Sequence, residues 1–302
     1  MAAGDRFGDY ALVCKLGRGG MAEVWRVHAV SGPEAGKDFA LKRLLPEFEG
    51  DAHVVERFAM EADLAKQLSH PNIVRVYDVG AVEGAWYQVM ELVDGRDVGQ
   101  LIKRSQERKI PWPVDFALYL TKVLCDALDC AHHACDAQGK PLNLVHCDVA
   151  PSNVFVSREG EIKLGDFGVA RVRIDSGAGE FFGKPYYVSP EALEGKLTPA
   201  LDLWGAGVVL FELLTNHRPF MGKNAEELFD HVKNGEVTPP TVLRPNLSPA
   251  VEHVVLRALA KNPAERFADA RAFANTLEAL YDERVGNPLA ISSVVRGLFG
   301  DE

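Results

Sequence analysis

Two short stretches hold most of the side chains able to do chemistry. Residues 145–153 read Val-His-Cys-Asp-Val-Ala-Pro-Ser-Asn, which places His146, Cys147, Asp148 and Asn153 close together, and Asp166-Phe167-Gly168 follows thirteen residues after Asn153. Upstream, Leu16-Gly17-Arg18-Gly19-Gly20-Met21-Ala22-Glu23-Val24 forms a glycine-rich run. A turn without bulky Cβ atoms lets backbone N–H groups approach phosphate oxygens. Alone, the run is equally a plain hairpin. Lys42, in Ala40-Leu41-Lys42, and Glu61, in Phe58-Ala59-Met60-Glu61-Ala62, come next. A buried lysine needs a carboxylate partner, whereas two solvated surface charges need nothing.

The series continues in order with Ser189-Pro190-Glu191, Asp202-Leu203-Trp204-Gly205-Ala206-Gly207 and Asn262-Pro263-Ala264-Glu265-Arg266-Phe267. Across residues 10–280 these motifs resemble the bacterial, eukaryotic-like (Hanks-type) Ser/Thr protein kinase family. The resemblance implies an α+β, two-lobed protein kinase fold with a small strand-rich N-lobe (about 10–93) and a large helical C-lobe (about 97–285). It implies transfer of the ATP γ-phosphate to a protein Ser or Thr, with Mg²⁺ as cofactor and Mn²⁺ as the alternative ion. Leu16, Gly17, Gly19 and Gly20 would cover the nucleotide, and Val24, Ala40 and Phe155 would enclose the adenine. Lys42, held by Glu61, would face the α- and β-phosphates. Met90 would be the gatekeeper, Glu91 and Val93 would bond the base through their backbone, and Asp97 would touch the ribose. Asp148 would orient the substrate hydroxyl and accept its proton, while Asn153 and Asp166 would hold the metal ions. Glu191 would pair with Arg266, and Asp202 would hold the catalytic-loop backbone.

Two positions depart from the family pattern H-R-D-x-K-P-x-N. Cys147 stands where many kinases carry an Arg that pairs with a phosphorylated activation loop, which makes this a non-RD loop. A thiol cannot make a bidentate bond to phosphate, and residues 169–188 offer only Ser176, Tyr186 and Tyr187 as hydroxyls, so control by activation-loop phosphorylation is not expected. Ala150 stands where a Lys would stabilise the transferred phosphoryl group. Lys184, in Gly183-Lys184-Pro185-Tyr186-Tyr187-Val188-Ser189-Pro190-Glu191, occupies a position that is usually Thr beside the catalytic Asp. The expectation is that Lys184 replaces the missing cation; the rival is that it points to solvent. Tyrosine kinases also carry Ala at position 150 but compensate with an Arg two residues later, where this chain has Ser152. The alternative from another class is an ATP-binding pseudokinase scaffold acting through protein partners. Phosphorylation of a small molecule fits less well, because residues 183–191 resemble a peptide-docking segment.

The elements that must position these residues are visible as patterns. Residues 10–16 and 23–30 read as a hairpin, 39–44 as a third strand, 52–68 as a helix, and 74–79 and 86–92 as two more strands. Beyond Gly95 the pattern turns helical, with 116–133 a long helix and 203–214 a buried one. The organisation expected is an N-terminal lead (1–9), a kinase domain (10–285) and an amphipathic C-terminal helix (286–302). In that last stretch Ile291, Val294, Val295, Leu298 and Phe299 fall on one face, either packed on the chain's own large lobe or offered to a protein partner.

Composition narrows the classes further. The 302 residues carry a net charge of −10, which argues against nucleic acid or an anionic membrane as the main partner. No apolar run approaches the ~20 residues that span a bilayer, and the first residues lack a basic segment followed by an apolar one. Five cysteines without C-x-x-C spacing read as reduced thiols in a cytoplasm. His132, His133 and Cys135 are expected to be structural, since near-adjacent helical positions diverge in direction.

Overall fold

The structure, a computed structural model, describes residues 3–32, 34–167 and 184–300. The chain divides between Asp94 and Gly95 into two compact units, the first strand-rich and the second helix-rich.

The first unit is a six-stranded antiparallel sheet in the order β1-β2-β3-β4-β6-β5, from β1 (Arg6–Phe7), β2 (Tyr10–Arg18), β3 (Ala22–Ala29), β4 (Asp38–Leu44), β5 (Val76–Val82) and β6 (Ala85–Met90). Strand β3 shows why one face is buried: Trp25, Val27 and Ala29 point inward while Arg26 and His28 alternate outward, the period-2 pattern of a half-covered sheet. With Leu12, Phe39, Leu41 and Val89 they form the core of this unit. Helix α1 (Ala52–Lys66) buries Phe58, Ala62, Leu64 and Ala65, and its N-terminus is capped by the Asp51 carboxylate, which accepts from His53 N and Val54 N. That cap satisfies donors the first turn leaves orphaned.

The second unit opens with a three-stranded sheet of β7 (Gly95–Asp97), β8 (Val154–Ser157) and β9 (Ile162–Leu164), in that order. Helix α2 (Val98–Arg108) starts on a capping box between Asp97 and Gln100, a reciprocal bond that fixes the entry of the chain. Helix α3 (Val114–His132) and α4 (Pro199–Thr215) form the centre, surrounded by α5 (Ala225–Asn234), α6 (Pro240–Leu243), α7 (Pro249–Ala258) and α8 (Ala270–Glu278). Helix α4 is mostly apolar and buried from Leu201 to Thr215, as a central helix must be. Its glycines permit close packing. A Cβ on Gly205 would lie 2.8 Å from Val149 Cβ, and one on Gly207 would lie 2.8 Å from Ala258 Cβ. Gly205 therefore lets α4 press directly on the loop that carries Asp148.

Helix α9 (Pro288–Phe299) closes the chain, with Asn287 capping its start. Its apolar face is buried on the second unit, with Ile291, Val295 and Leu298 nearly inaccessible. Ser292 Oγ donates to Arg158 O (2.5 Å), Arg104 Nε to Leu298 O (3.2 Å) and Arg108 Nη1 to Gly297 O (2.8 Å). The stripe that the sequence offered to a protein partner is therefore turned against the chain's own body, because that body supplies both an apolar surface and arginines for the last carbonyls of the helix. The proposed partner at this helix has no support.

Candidate active site

In the first unit four of the residues expected at a nucleotide lie within two rungs of each other, on β4 and the strands that flank it. Lys42 on β4 lies opposite Val24 on β3 and opposite Gln88 on β6, and Ala40 lies opposite Met90. Antiparallel pairing thus brings Val24, Ala40, Lys42 and Met90 together although 66 positions separate the first from the last. The glycine-rich run is the tip of the β2–β3 hairpin, closed by Gly19 N donating to Ala22 O at 2.8 Å. A Cβ on Gly17 or Gly20 would meet no protein atom within 4 Å, and neither residue has a left-handed φ. Neither internal packing nor backbone conformation requires glycine there, which leaves room at the tip for an external group. Glu61 on α1 is largely buried, 3.4 Å from the Arg57 guanidinium one turn earlier, a partner that sequence reading did not anticipate. Glu91 N donates to Arg75 O (2.8 Å), and the Glu91 carboxylate accepts from Arg75 N (3.3 Å). Val93 lies in the same stretch, half-buried.

In the second unit the loop 145–153 is held by its backbone. The Asp202 carboxylate, fully buried on α4, accepts from His146 N (2.8 Å) and Cys147 N (2.9 Å). His132 Nε2, at the end of α3, lies 2.8 Å from the same carboxylate. His132 is thus a structural neighbour of the loop, and among the described residues no group of three or more His, Cys, Asp and Glu side chains is placed to hold a metal. Asp148 N donates to His146 Nδ1 (3.2 Å), so His146 Nε2 carries the proton and donates to Gly165 O at 3.1 Å. That bond ties the loop to the residue before Asp166. Gly165 N donating to Asn153 O (2.9 Å) makes a second tie. Cys147 and Asp166 both sit in the left-handed region, at φ 65° and 59°. Such backbone costs energy and persists where the surroundings over-determine it.

Asn153 is buried, and Nδ2 donates to both Asp148 O and Asp148 Oδ2, each at 2.8 Å. The amide orientation is thereby fixed, with Oδ1 as the acceptor that faces Lys184. Lys184 Nζ donates to Asp148 Oδ2 (2.8 Å) and to Asn153 Oδ1 (3.1 Å), and Lys184 N donates to Asp148 Oδ1 at 3.2 Å. Ala150 is fully buried. Asn153 Oδ1 and the exposed Asp166 carboxylate are hard oxygen donors of the kind that hold Mg²⁺ when phosphate completes the shell. Asp97 and Phe155 face each other across β7 and β8. Burial raises the Asp97 carboxyl above its ordinary range, against the N–H groups of Gln100 and Gly99 and the charge of Lys184. Gly168, Ser176 and Gly183 lie outside the described residues.

Below the site, Glu191 and Arg266 form a buried bidentate pair at 2.6 and 2.8 Å. Arg266 also donates to Ala260 O, Ala200 O and Lys261 O, so all five of its N–H groups are satisfied. Tyr187 OH donates to Glu212 Oε2 (2.7 Å), and burial pushes the Glu212 carboxyl up.

The comparisons with known proteins agree with this frame. The protein kinase domain family matches residues 10–278. Curated relatives include the tyrosine-protein kinase MasK of Myxococcus xanthus, 34% identical over 98% of this chain and 47% of its own length. They also include a probable serine/threonine-protein kinase, SCO3848, of Streptomyces coelicolor, 35% identical over 97% of this chain and 43% of its own. The serine/threonine-protein kinase pkn3 of Myxococcus xanthus is 36% identical over 91% of this chain and 50% of its own. The chain thus spans about half the length of the curated relatives it matches. Among solved structures, the PknI kinase domain of Mycobacterium tuberculosis superimposes with a TM-score of 0.69 at 29% identity, covering 92% of this chain and 99% of that one. With the strand-rich unit, the helical unit and the Asp148–Asn153–Asp166 series all in their places in the motif order, the chain belongs to the bacterial Hanks-type protein kinase family.

Proposed function

We propose that this chain is a Ser/Thr protein kinase of the non-RD type that uses Lys184 as the cation missing at Ala150. The observation that carries the reading is the position of Lys184 Nζ, within hydrogen-bond distance of both Asp148 Oδ2 and Asn153 Oδ1. A lysine pointing to solvent would touch neither. Asp148 orients the attacking hydroxyl and takes its proton as the oxygen bonds to the γ-phosphorus. The bond from that phosphorus to the β–γ bridging oxygen breaks, and ADP leaves. Charge accumulates on the equatorial phosphoryl oxygens, and a preorganised ammonium stabilises it in place. A divalent ion held by Asn153 and Asp166 would neutralise phosphate charge, with Mg²⁺ as the ion and Mn²⁺ as the alternative.

Lys42, held by Glu61, faces the α- and β-phosphates in this reading. Leu16, Gly17, Gly19 and Gly20 cover the nucleotide, and Val24, Ala40 and Phe155 enclose the adenine. Met90 guards the pocket, Glu91 and Val93 bond the base, and Asp97 touches the ribose. The open space around Gly17 and Gly20 supports that assignment. Five free thiols support a cytoplasmic setting, and among the described residues no helix is long and apolar enough to cross a membrane.

The test is transfer from labelled ATP to the chain itself and to a generic protein substrate, beside Asp148→Asn. Label well above that variant, recovered as phosphoserine or phosphothreonine, is the expected result. Label recovered on tyrosine would assign the chain the activity in MasK's name, and no label above the variant would leave only a nucleotide-binding scaffold.

A further inference from the structure

The geometry points to a second role for Lys184, as a gate on the metal site, which rests on the assignment of Lys184, Asn153 and Asp166 made above. Three acceptor positions matter for that chemistry, and one residue touches them all. Asn153 has both amide hydrogens on Asp148, so Oδ1 is its one outward ligand atom. That oxygen accepts from Lys184 Nζ. Asp148 Oδ2 accepts from Lys184 Nζ and Asn153 Nδ2, and Asp148 Oδ1 accepts from Lys184 N. With the ammonium there, the oxygen that would ligate a divalent cation is already bonded to a cation, and the carboxylate that would receive the substrate hydroxyl already holds a counter-charge.

Asn153 is neutral and adds no negative charge to accommodate two cations on one oxygen. The carboxylate in hydrogen-bond contact with Asn153, that of Asp148, already balances the Lys184 ammonium, so an ammonium and a divalent ion sharing Asn153 Oδ1 in this partly buried site would repel at contact distance. The side chain of Lys184 can yield. It is 37% exposed, against 12% for Asp148, and four rotatable bonds separate its tip from a backbone pinned on Asp148 Oδ1. The triphosphate is the anion that draws the tip away. Lys184 therefore holds two positions: on Asp148 and Asn153 in the empty site, and on the phosphoryl oxygens in the loaded one. Divalent cation and nucleotide then load together, and the cation alone is refused. A lysine that acts from the activation segment makes this arrangement because its tip reaches Asn153 from outside the loop that carries Asn153.

The experiment is a Mn²⁺ titration of the full chain followed by the electron paramagnetic resonance of free Mn²⁺, with and without a non-hydrolysable ATP analogue. Wild type is compared with Lys184→Met and Lys184→Thr, and with Asn153→Ala as the ligand control. Without nucleotide, both Lys184 variants should bind Mn²⁺ on the order of tenfold more tightly than wild type, from removal of one charge near the ligand atom. With the analogue present the difference should narrow, and Asn153→Ala should abolish the gain when combined with Lys184→Met. Equal nucleotide-free affinity in wild type and both variants overturns the gate. Phosphotransfer by the same variants reads the underlying assignment separately. A variant that loses rate without gaining Mn²⁺ affinity leaves Lys184 catalytic and removes the gate. One that gains affinity at full rate keeps the gate and removes the catalytic cation.

Discussion

At the scale of single residues, Lys184 takes in the proposed function the place of the ammonium missing at Ala150. Lys184→Ala should lower phosphotransfer by ~10²–10³, the loss typical of one preorganised charge-stabilising group, while the double variant Ala150→Lys/Lys184→Thr should recover much of it. Steady-state rates on one protein substrate decide, and full rate in the single variant ends the idea. Asp97 offers a pH-dependent check. Burial raises its carboxyl, so between the unfolded value near 3.9 and the raised folded one the native state holds more protons than the unfolded. The stability it contributes is complete below that window and is lost as pH rises through the folded value. Asp97→Asn preserves a good N-cap and removes the cost of a buried charge. Its melting temperature relative to wild type should therefore rise between pH 4 and pH 7, and a constant difference would place the carboxylate in a better-solvated setting. The resemblance to the kinase motifs, more than spacing, made the expected roles of Asp148, Asn153 and Asp166 and the pairing of Glu191 with Arg266 legible in the sequence. The doubly donating Asn153 amide and His132 against Asp202 were not, because they depend on contacts that only the folded chain makes.

At the scale of elements, helix α9 lies outside the matched domain, residues 10–278, yet packs as part of the second unit. Ile291 is fully buried on it, and Ile291→Ala should cost about 2–5 kcal/mol by lost burial and cavity formation. Its neighbour Gly160, at φ 87°, has Pro288 O where a Cβ would go, 1.8 Å away, so Gly160→Ala should also destabilise, through both clash and backbone strain. Leu289→Ala, at 80% exposure, is the neutral control. Thermal melts of the three variants check the docking, and a neutral Ile291→Ala would mean the helix is loosely held. The apolar period of this tail was plain in the sequence, but a stripe announces burial without saying against what. The same limit applied at strand ends. The fifth strand, read as 74–79, runs instead from Val76 to Val82, because its extent is set by pairing with β6 and the turn at Glu83-Gly84, both with positive φ.

At the scale of the whole molecule, the proposed function draws nucleotide contacts from residues of each compact unit: the β2–β3 hairpin, Ala40, Lys42 and Met90 in the first, and Asp97, Asn153, Phe155 and Asp166 in the second. A ligand that binds only the folded state stabilises it by about 2.7 kcal/mol at a hundred times its Kd, whichever unit supplies the contact. If both units contribute, a non-hydrolysable ATP analogue with Mg²⁺ should raise the melting of the strand-rich and the helical unit alike. Lys42→Met and Asp166→Asn should each remove most of that shift, although one lies in the first unit and the other in the second. Chelating Mg²⁺ should resemble Asp166→Asn more than Lys42→Met, because in the proposed function the carboxylate acts through the ion and the lysine acts on phosphate directly. Differential scanning calorimetry at several analogue concentrations separates these cases. A shift that survives Lys42→Met undiminished would strip the first unit of its assigned role and leave nucleotide recognition to the second.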